Sequence, residues 1–127
     1  MLRCLIVDDN ASFLAAARRL LEDEGFDVIG TAHSRDLALK HIAEQQPDLA
    51  LIDINLGEES GIDLAQRIPG ITTGVPPKII LISARDESEY GELIETSPAV
   101  GFLAKRDLTA AAIRSLLTGD DSEARSS

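Results

Sequence analysis

The strongest constraint on the fold is an alternation, along 127 residues, between short apolar runs and longer segments with helical periodicity. The apolar runs are too short to form typical globular helices, are partly β-branched, and end in polar or turn residues. These features are typical of strands that are buried on both faces. We therefore predict five strands, which are Leu2–Val7, Phe26–Ala32, Leu49–Ile54, Lys78–Ser83 and Ala99–Ala104.

The segments between the apolar runs predict five helices. In the first of them Phe13, Leu14 and Leu21 share one face, and capping or breaking residues flank most of the others. The fourth is weaker because it has a glycine inside it. The predicted helices are Asn10–Glu24 with Gly25 ending it, a segment that Ser34 caps and Pro47 ends, Ser60–Ile68 ahead of Pro69, Asp86–Thr96 around Gly91, and Thr109–Leu117 with Gly119 ending it.

Strands that alternate with helices predict an α/β fold with a parallel sheet covered on both faces, since parallel strands need crossover connections. For five units we expect the flavodoxin-like (βα)5 doubly wound fold, with strand order 2-1-3-4-5 and its switch point between strands one and three. Ligands bind such sheets at the carboxyl ends of the strands. We expect one domain over residues 1–118, followed by a polar tail or the start of a linker at 119–127.

Composition narrows the classes of partner. The formal net charge of −10 disfavours binding of nucleic acid or an anionic membrane by this chain alone. No apolar stretch approaches the length of a membrane span. The segment Met1–Val7 is followed by Asp8 and Asp9, so its apolar run is too short for a signal peptide. Cys4 is the single cysteine and is expected to be a small core residue. We therefore expect a cytoplasmic protein.

Four of the predicted strands have reactive side chains at or just after their carboxyl ends. Asp8 and Asp9 follow the first strand, Asp53 lies in the third, Ser83 ends the fourth and Lys105 follows the fifth. In the expected strand order the three aspartates converge, and crowded carboxylates either gain protons or recruit a cation. Hard oxygen ligands favour Mg²⁺, while a hydroxyl and an ammonium group can hold phosphoryl oxygens.

Each of these residues also has a structural explanation. Asp8-Asp9-Asn10 ahead of a helix is an ordinary capping cluster, and Asp53 alone could cap the turn before Ser60. A serine after a strand usually bonds local backbone, a lone lysine is usually solvated, and Phe102 is most simply a core aromatic. Joint placement favours the functional interpretation, because independent strand ends supply complementary parts of one phosphoryl-transfer site.

The sequence resembles a response regulator receiver domain of the CheY-like family, from Leu2 to about Leu117. Each motif alone is a weak signal, but the four motifs together with the strand alternation are specific. The segments that carry the resemblance are Leu5-Ile-Val-Asp-Asp-Asn10, Pro47-Asp-Leu-Ala-Leu-Ile-Asp53, Ile80-Leu-Ile-Ser-Ala84 and Gly101-Phe-Leu-Ala-Lys105.

This resemblance implies a role for each matching residue. Asp53 would accept the phosphoryl group, and the metal ion would be Mg²⁺ or Mn²⁺. The implied metal ligands are Asp9 directly, Asp8 mainly through water, Asp53, and the backbone carbonyl of Asn55. The implied phosphoryl-binding and switch residues are Ser83, the backbone of Ala84, Lys105, and Phe102 through its rotamer.

The resemblance also implies partners. Phosphodonors in this family are histidine kinases, histidine phosphotransfer proteins or small acyl phosphates, and phosphorylation is often linked to homodimerisation. Such a domain is a signalling module that promotes only its own phosphorylation and dephosphorylation.

Three features depart from the commonest family pattern. Arg106 follows the lysine where many members have proline, which favours the subfamily with helix-turn-helix DNA-binding output and hence transcription regulation. The loop after Asp53 has Leu56-Gly57 and then two glutamates instead of Met-Pro, and serine replaces the commoner threonine at position 83.

Other functions remain open at this point. The main alternative is a receiver that works as an adaptor without phosphorylation. The chain argues against it by retaining all five polar residues of the site, which are Asp8, Asp9, Asp53, Ser83 and Lys105. An aspartyl-phosphate phosphatase of the haloacid-dehalogenase type needs a second Asp two residues after its nucleophile, where this chain has Asn55. A flavin-binding protein would need a Gly/Thr-rich phosphate loop after the first strand, and none is present.

Overall fold

The computed structural model describes residues 2–85 and 90–118. Five strands form the main sheet, a short hairpin follows the third of them, and a 3₁₀ turn at Lys105–Asp107 precedes the last helix. The strands are β1 Arg3–Val7, β2 Asp27–Ala32, β3 Leu49–Asp53, the hairpin pair β4 Asn55–Leu56 and β5 Glu59–Ser60, β6 Lys78–Ser83 and β7 Gly101–Ala104. The helices are α1 Ala11–Asp23, α2 Arg35–Gln45, α3 Gly61–Ile71, α4 Gly91–Glu95 and α5 Ala110–Thr118.

The main sheet is parallel throughout, with the order β2-β1-β3-β6-β7. Once the hairpin strands β4 and β5 are set aside, this is the predicted order 2-1-3-4-5, so the fold prediction is confirmed. The register pairs Val7 with Ile52, Asp53 with Ile82, and Ser83 with Ala104. The carboxyl ends of β1, β3, β6 and β7 therefore lie side by side at one edge of the sheet.

Two apolar layers cover the sheet, one on each face. Alternate residues of each central strand point to opposite faces, so that Leu5 and Val7 of β1 belong to one layer and Cys4 and Ile6 to the other. Buried residues of α2, α3 and α4 complete the first layer, whereas α1 and α5 complete the second. Cys4 is fully buried, and burial raises the pKa of its thiol to about 12, which confirms its prediction as a core residue.

Helix capping follows the sequence in three places. The side chain of Asn10 accepts a hydrogen bond from the Phe13 amide at the start of α1. Ser34 does the same for the Leu37 amide at α2, and Thr109 for the Ala112 amide at α5. Each cap satisfies an amide that has no partner inside its helix, and this fixes where the chain turns from strand end into helix.

Three predicted boundaries differ from the structure by two residues or more. The helix α3 does not end before Pro69 but continues to Ile71 with the proline inside it. Proline is compatible with helical φ and removes one donor, which is tolerated in a last turn where the Thr72 hydroxyl also bonds the Ile68 carbonyl. Gly91 begins α4 instead of lying within it, and β7 begins at Gly101. Residues 86–89 of the predicted fourth helix and the predicted tail at 119–127 lie outside the described residues.

Candidate functional site

Asp8 follows β1 directly and is fully buried, whereas its neighbour Asp9 is exposed. The Asp8 amide continues the sheet ladder to the Ala32 carbonyl, and its Oδ1 accepts a hydrogen bond from the Asn10 amide at 2.8 Å. Because Asn10 caps α1, the Asp9 carboxylate and Asp8 Oδ2 are not needed for capping. Capping therefore accounts for the Asn10 side chain and Asp8 Oδ1, but not for the Asp9 carboxylate or Asp8 Oδ2.

Asp53 ends β3 and is 5% exposed. Its Oδ1 accepts a hydrogen bond from the Asn55 amide at 3.0 Å, which orients the carboxylate. Carboxylate oxygens of Asp8, Asp9 and Asp53 all lie within 4.8 Å of one another. The convergence expected from the strand order is therefore present, although the aspartates belong to two separate strand ends.

Lys105 projects from the turn after β7 into the same cluster. Its Nζ lies 2.6 Å from Asp8 Oδ2 and 3.1 Å from Asp53 Oδ2, and its side chain is 20% exposed. It also lies over the ring of Phe13, with Nζ 4.3 Å from the ring centroid. The ammonium group is therefore not the solvated surface charge that a lone lysine would usually be.

Burial and charge change the protonation chemistry of the cluster. Burial and the neighbouring charge of Asp8 raise the pKa of Asp53 to about 6, although the Asn55 amide and Lys105 oppose the change. Burial by itself would lower the pKa of Lys105, but close contacts with Asp8 and Asp53 outweigh it and raise that pKa above 10.5. Lys105 is therefore cationic at neutral pH, and Asp53 is mostly ionised there.

The other sequence-predicted residues lie around this cluster. Ser83 is fully buried at the end of β6, and its Oγ accepts a hydrogen bond from the Arg85 amide at 3.0 Å. Ala84 follows it and is exposed. Phe102 is half-buried in β7 and packs against the apolar layer of α2, α3 and α4. Ser83 and Phe102 are thus placed next to the strand ends that carry Asp53 and Lys105, as the register requires.

The sequence prediction missed the hairpin that follows Asp53. Gly57 has a φ of 67° in its turn, where a residue with a Cβ would be strained, and that Cβ would lie 3.4 Å from Asp9 Oδ2. Buried Leu56 and a hydrogen bond from the Arg35 amide to Glu59 Oε1, at 2.9 Å, anchor the two hairpin strands. The Leu-Gly-Glu-Glu segment therefore forms an ordered structure. The turn signal of a glycine between apolar and acidic residues could have indicated it.

Two further residues near the site were also missed. A Cβ at Gly61 would overlap the Asp53 carbonyl oxygen, so glycine is required for α3 to begin against the end of β3. The Gly61 amide donates to the Ile54 carbonyl at 2.7 Å. Tyr90 accepts a hydrogen bond at its hydroxyl from the Asn55 side chain at 3.2 Å. No local pattern signals the tyrosine, because it is far from Asn55 in the chain.

The donor set fits a hard divalent cation. Asp8 Oδ2 is buried, and among residues 2–85 and 90–118 only the Lys105 ammonium, 2.6 Å away, balances its charge at close range. Three carboxylates against one ammonium leave the cluster with an excess of negative charge. Carboxylate and carbonyl oxygens are the ligands that Mg²⁺ prefers, and an exposed Asp9 leaves room for its retained waters.

A parallel β2-β1-β3-β6-β7 sheet with an acidic cluster and a lysine at its carboxyl edge defines a class of signalling domain. A family model for the response regulator receiver domain matches residues 4–117. The chain belongs to this family, which confirms the resemblance seen in the sequence.

The relatives that the chain resembles include a transcription regulator and a response regulator. The chain is 30% identical over 105 residues to the transcription regulator BvgA of Bordetella pertussis, covering 83% of this chain and 49% of that protein. It is 30% identical over 123 residues to the response regulator UvrY of Escherichia coli, covering 94% of this chain and 56% of that protein. The chain thus spans about half the length of these relatives. That BvgA is named as a transcription regulator agrees with the subfamily that the sequence favours.

Solved receiver structures are similar to this chain. The signal receiver domain of the response regulator NarL from Mycobacterium tuberculosis superimposes with a TM-score of 0.75 at 26% identity, covering 92% of this chain and 97% of that one. A CheY-like receiver domain from Methanospirillum hungatei gives a TM-score of 0.76 at 27% identity, with 91% and 94% covered. Among the described residues, no helix has both the length and the apolar character needed to cross a bilayer.

Proposed function

We propose that this chain is a phosphorylation-switched receiver of a two-component system, with Asp53 as the phosphoacceptor. The observation that carries the proposal is the position of the Asp53 carboxylate. It lies within 4.8 Å of oxygens of Asp8 and Asp9, and 3.1 Å from the Lys105 ammonium. A nucleophile, a set of cation ligands and a fixed positive charge are thus gathered at one strand end.

The chemistry requires an ionised Asp53. A pKa of about 6 leaves the carboxylate mostly deprotonated at neutral pH, so that an oxygen can attack phosphorus. A new O–P bond forms to Asp53, while the bond from phosphorus to the donor breaks and its electron pair leaves with the donor. The donor group is imidazole for a phosphohistidine and a carboxylate for an acyl phosphate.

A divalent ion would be held by Asp8, Asp9, Asp53 and the backbone carbonyl of Asn55, with Mg²⁺ or Mn²⁺ as the expected metal. When bound, it neutralises negative charge on the transferring phosphoryl group. Lys105 contributes a second positive charge from the carboxyl end of β7, at the same edge of the sheet. The Asn55 amide keeps Asp53 Oδ1 in place through its 3.0 Å hydrogen bond, so the other oxygen, Oδ2, is the expected nucleophile.

The switch follows from the product. An aspartyl phosphate carries more negative charge than the carboxylate and three acceptor oxygens. Ser83, the Ala84 backbone and Lys105 can meet these oxygens, and Phe102 in the adjacent strand can change rotamer as the Ser83 region moves. Because these contacts exist only in the phosphorylated state, they can shift an equilibrium between two conformations.

The partners follow from this function. The phosphodonor would be a histidine kinase or a histidine phosphotransfer protein. A second copy of this chain would be a further partner, in a homodimer whose formation is linked to phosphorylation. We place the receiver at residues 1–118 in a cytoplasmic, transcription-regulating protein, with residues 119–127 as a tail or linker. Two relatives that are about twice as long, one of them named as a transcription regulator, support this assignment. The net charge of −10 argues against DNA binding by this chain alone.

Two alternative functions are less well supported. A phosphorylation-independent adaptor would not need the aspartates and Lys105 to be gathered within ion-pairing distance. An aspartyl-phosphate phosphatase needs a second acid two residues after its nucleophile. The residue at that place is Asn55, whose side-chain amide donates a hydrogen bond to the Tyr90 hydroxyl.

Intact-mass analysis after incubation with acetyl phosphate or phosphoramidate and Mg²⁺ tests the proposal. We expect one added phosphoryl group in the wild-type chain, none after Asp53→Asn, and none with excess EDTA. Asp27→Asn is the matched control, because Asp27 is an exposed aspartate at the amino end of β2. A phosphoryl group that persists in Asp53→Asn would identify another acceptor and contradict the proposal.

A further inference from the structure

The Lys105 ammonium is enclosed on three sides. Asp8 Oδ2 lies at 2.6 Å, Asp53 Oδ2 at 3.1 Å, and the Phe13 ring lies 4.3 Å from Nζ to its centroid. A ring face at this distance attracts a cation through its quadrupole. The two carboxylates are part of the proposed site already, whereas the aromatic wall has no role in it so far.

Phe13 is itself held in place by the local structure. Its amide donates to the Asn10 side chain at the start of α1, and Asn10 in turn donates to Asp8. The Phe13 side chain is half-buried and packs against the apolar layer formed with α1 and α5. One capped turn of helix therefore connects the metal-binding carboxylate of Asp8 to the ring that faces Lys105.

We propose that Phe13 is a positioning residue for Lys105, with its ring holding the ammonium group over the phosphoacceptor. This inference rests on the proposed function of Asp53. A lysine stem has several rotatable bonds and high rotamer entropy, so a wall on one side restricts the positions that its ammonium can adopt.

The chain contains a second pair of the same kind away from the site. The Arg114 guanidinium lies 4.9 Å from the centroid of the Phe26 ring, and its NH2 group donates to the Glu24 carbonyl. This pair joins α5 to the turn after α1 and does not contact the acidic cluster. Phe26→Leu therefore removes a cation–ring contact and core volume without touching Lys105, and it serves as the matched control.

The positioning itself is tested by NMR on the unphosphorylated chain, comparing wild type with Phe13→Leu and Phe13→Tyr. A ring over the Lys105 side chain shifts the protons of its terminal methylene upfield. We expect that shift to be lost in Phe13→Leu and retained in Phe13→Tyr and Phe26→Leu. A Lys105 resonance that does not move in Phe13→Leu would show that the ring does not position the lysine and would overturn the proposal.

The consequence for phosphoryl transfer is tested by the rate of Asp53 phosphorylation with acetyl phosphate. Loss of the cation–ring contact should lower the rate constant in Phe13→Leu by roughly three- to tenfold. The rate should be recovered in Phe13→Tyr and unchanged in Phe26→Leu at a temperature where all variants are folded. Equal rates in wild type and Phe13→Leu would count against the proposal. A wild-type chain that takes up no phosphoryl group would instead refute the function of Asp53, and the Lys105 shift would still decide the positioning.

Discussion

The two halves of the sheet are built differently. In the half around β1 and β3 almost every residue of these two strands is buried, although the edge strand β2 has three half-buried residues, and side-chain caps begin both α1 and α2. In the half around β7 three of the four strand residues are only half-buried. The adjoining α4 has five residues and no side-chain cap, and the neighbouring Leu93 and Val100 are 52% and 41% exposed.

This difference separates two tasks. The aspartates that would bind a cation and accept the phosphoryl group belong to the densely packed half, where their geometry is set by the surrounding core. Lys105 and Phe102, which would respond to the phosphoryl group, belong to the lightly packed half, and Ser83 lies at the boundary between the two. A region with fewer buried contacts opens at lower free energy, so it is the part of the domain that a modest signal can repack.

The largest expected effect is a difference in core stability between the halves. Leu51 of β3 is fully buried and Leu103 of β7 partly buried in the same apolar layer, so they form a matched pair. We expect Leu51→Ala to lower the free energy of unfolding by about 3–5 kcal/mol and Leu103→Ala by about half as much. Urea denaturation measures the free energy of unfolding of both variants. Equal losses would contradict the difference in packing between the two halves.

Hydrogen exchange of backbone amides is the next test. Amides of β1 and β3 should exchange only on global unfolding, whereas those of β7 and α4 should exchange faster by about tenfold or more. Addition of beryllofluoride and Mg²⁺ should then change amide chemical shifts across residues 90–108. Shift changes limited to the neighbourhood of Asp53 would show that the second half does not respond to the site.

The pH dependence of stability sharpens the electrostatic side of the comparison. Because folding raises the pKa of Asp53 from 3.8 to about 6, the folded state binds this proton more tightly than the unfolded state. Its stabilising contribution is fully present below about pH 4 and is lost as the pH rises through 6. Thermal melts in metal-free buffer should show this decline in wild type, and Asp53→Asn should flatten it. An identical slope in the variant would assign the effect to another group.

The smallest effect is expected at Asp9, the exposed member of the acidic cluster. Asp9→Asn removes one of three crowded negative charges and should raise stability without metal by about 1 kcal/mol or less. The same change should weaken Mg²⁺ binding, which is expected to be modest even in wild type because the site is open and hydrated. A metal titration that is unchanged in Asp9→Asn would remove this residue from the ligand set.

Much of the site could be predicted from the sequence because strand ends carry it. Asp8, Asp53, Ser83 and Lys105 each stand at the end of an apolar run, and parallel strands bring such ends to one edge. The capping residues Asn10, Ser34 and Thr109 were predictable for a similar reason, since a cap acts within a few residues of itself. The last turn of α3 was not, because Pro69 acts as a local breaker and only the packing around it permits the helix to continue.

The amino-acid sequence by itself determined the strand order, the family and the set of reactive residues, because apolar periodicity and strand-end motifs are local properties that add up along the chain. Only the tertiary structure decided how those residues meet. The contacts between Lys105 and the Phe13 ring, between Asn55 and Tyr90, and between Gly61 and the Asp53 carbonyl join residues from different elements. The pKa of Asp53 likewise depends on burial and on the distances to Asp8 and Lys105. These contacts and this pKa arise from packing between distant segments of the chain, so no local sequence pattern predicts them.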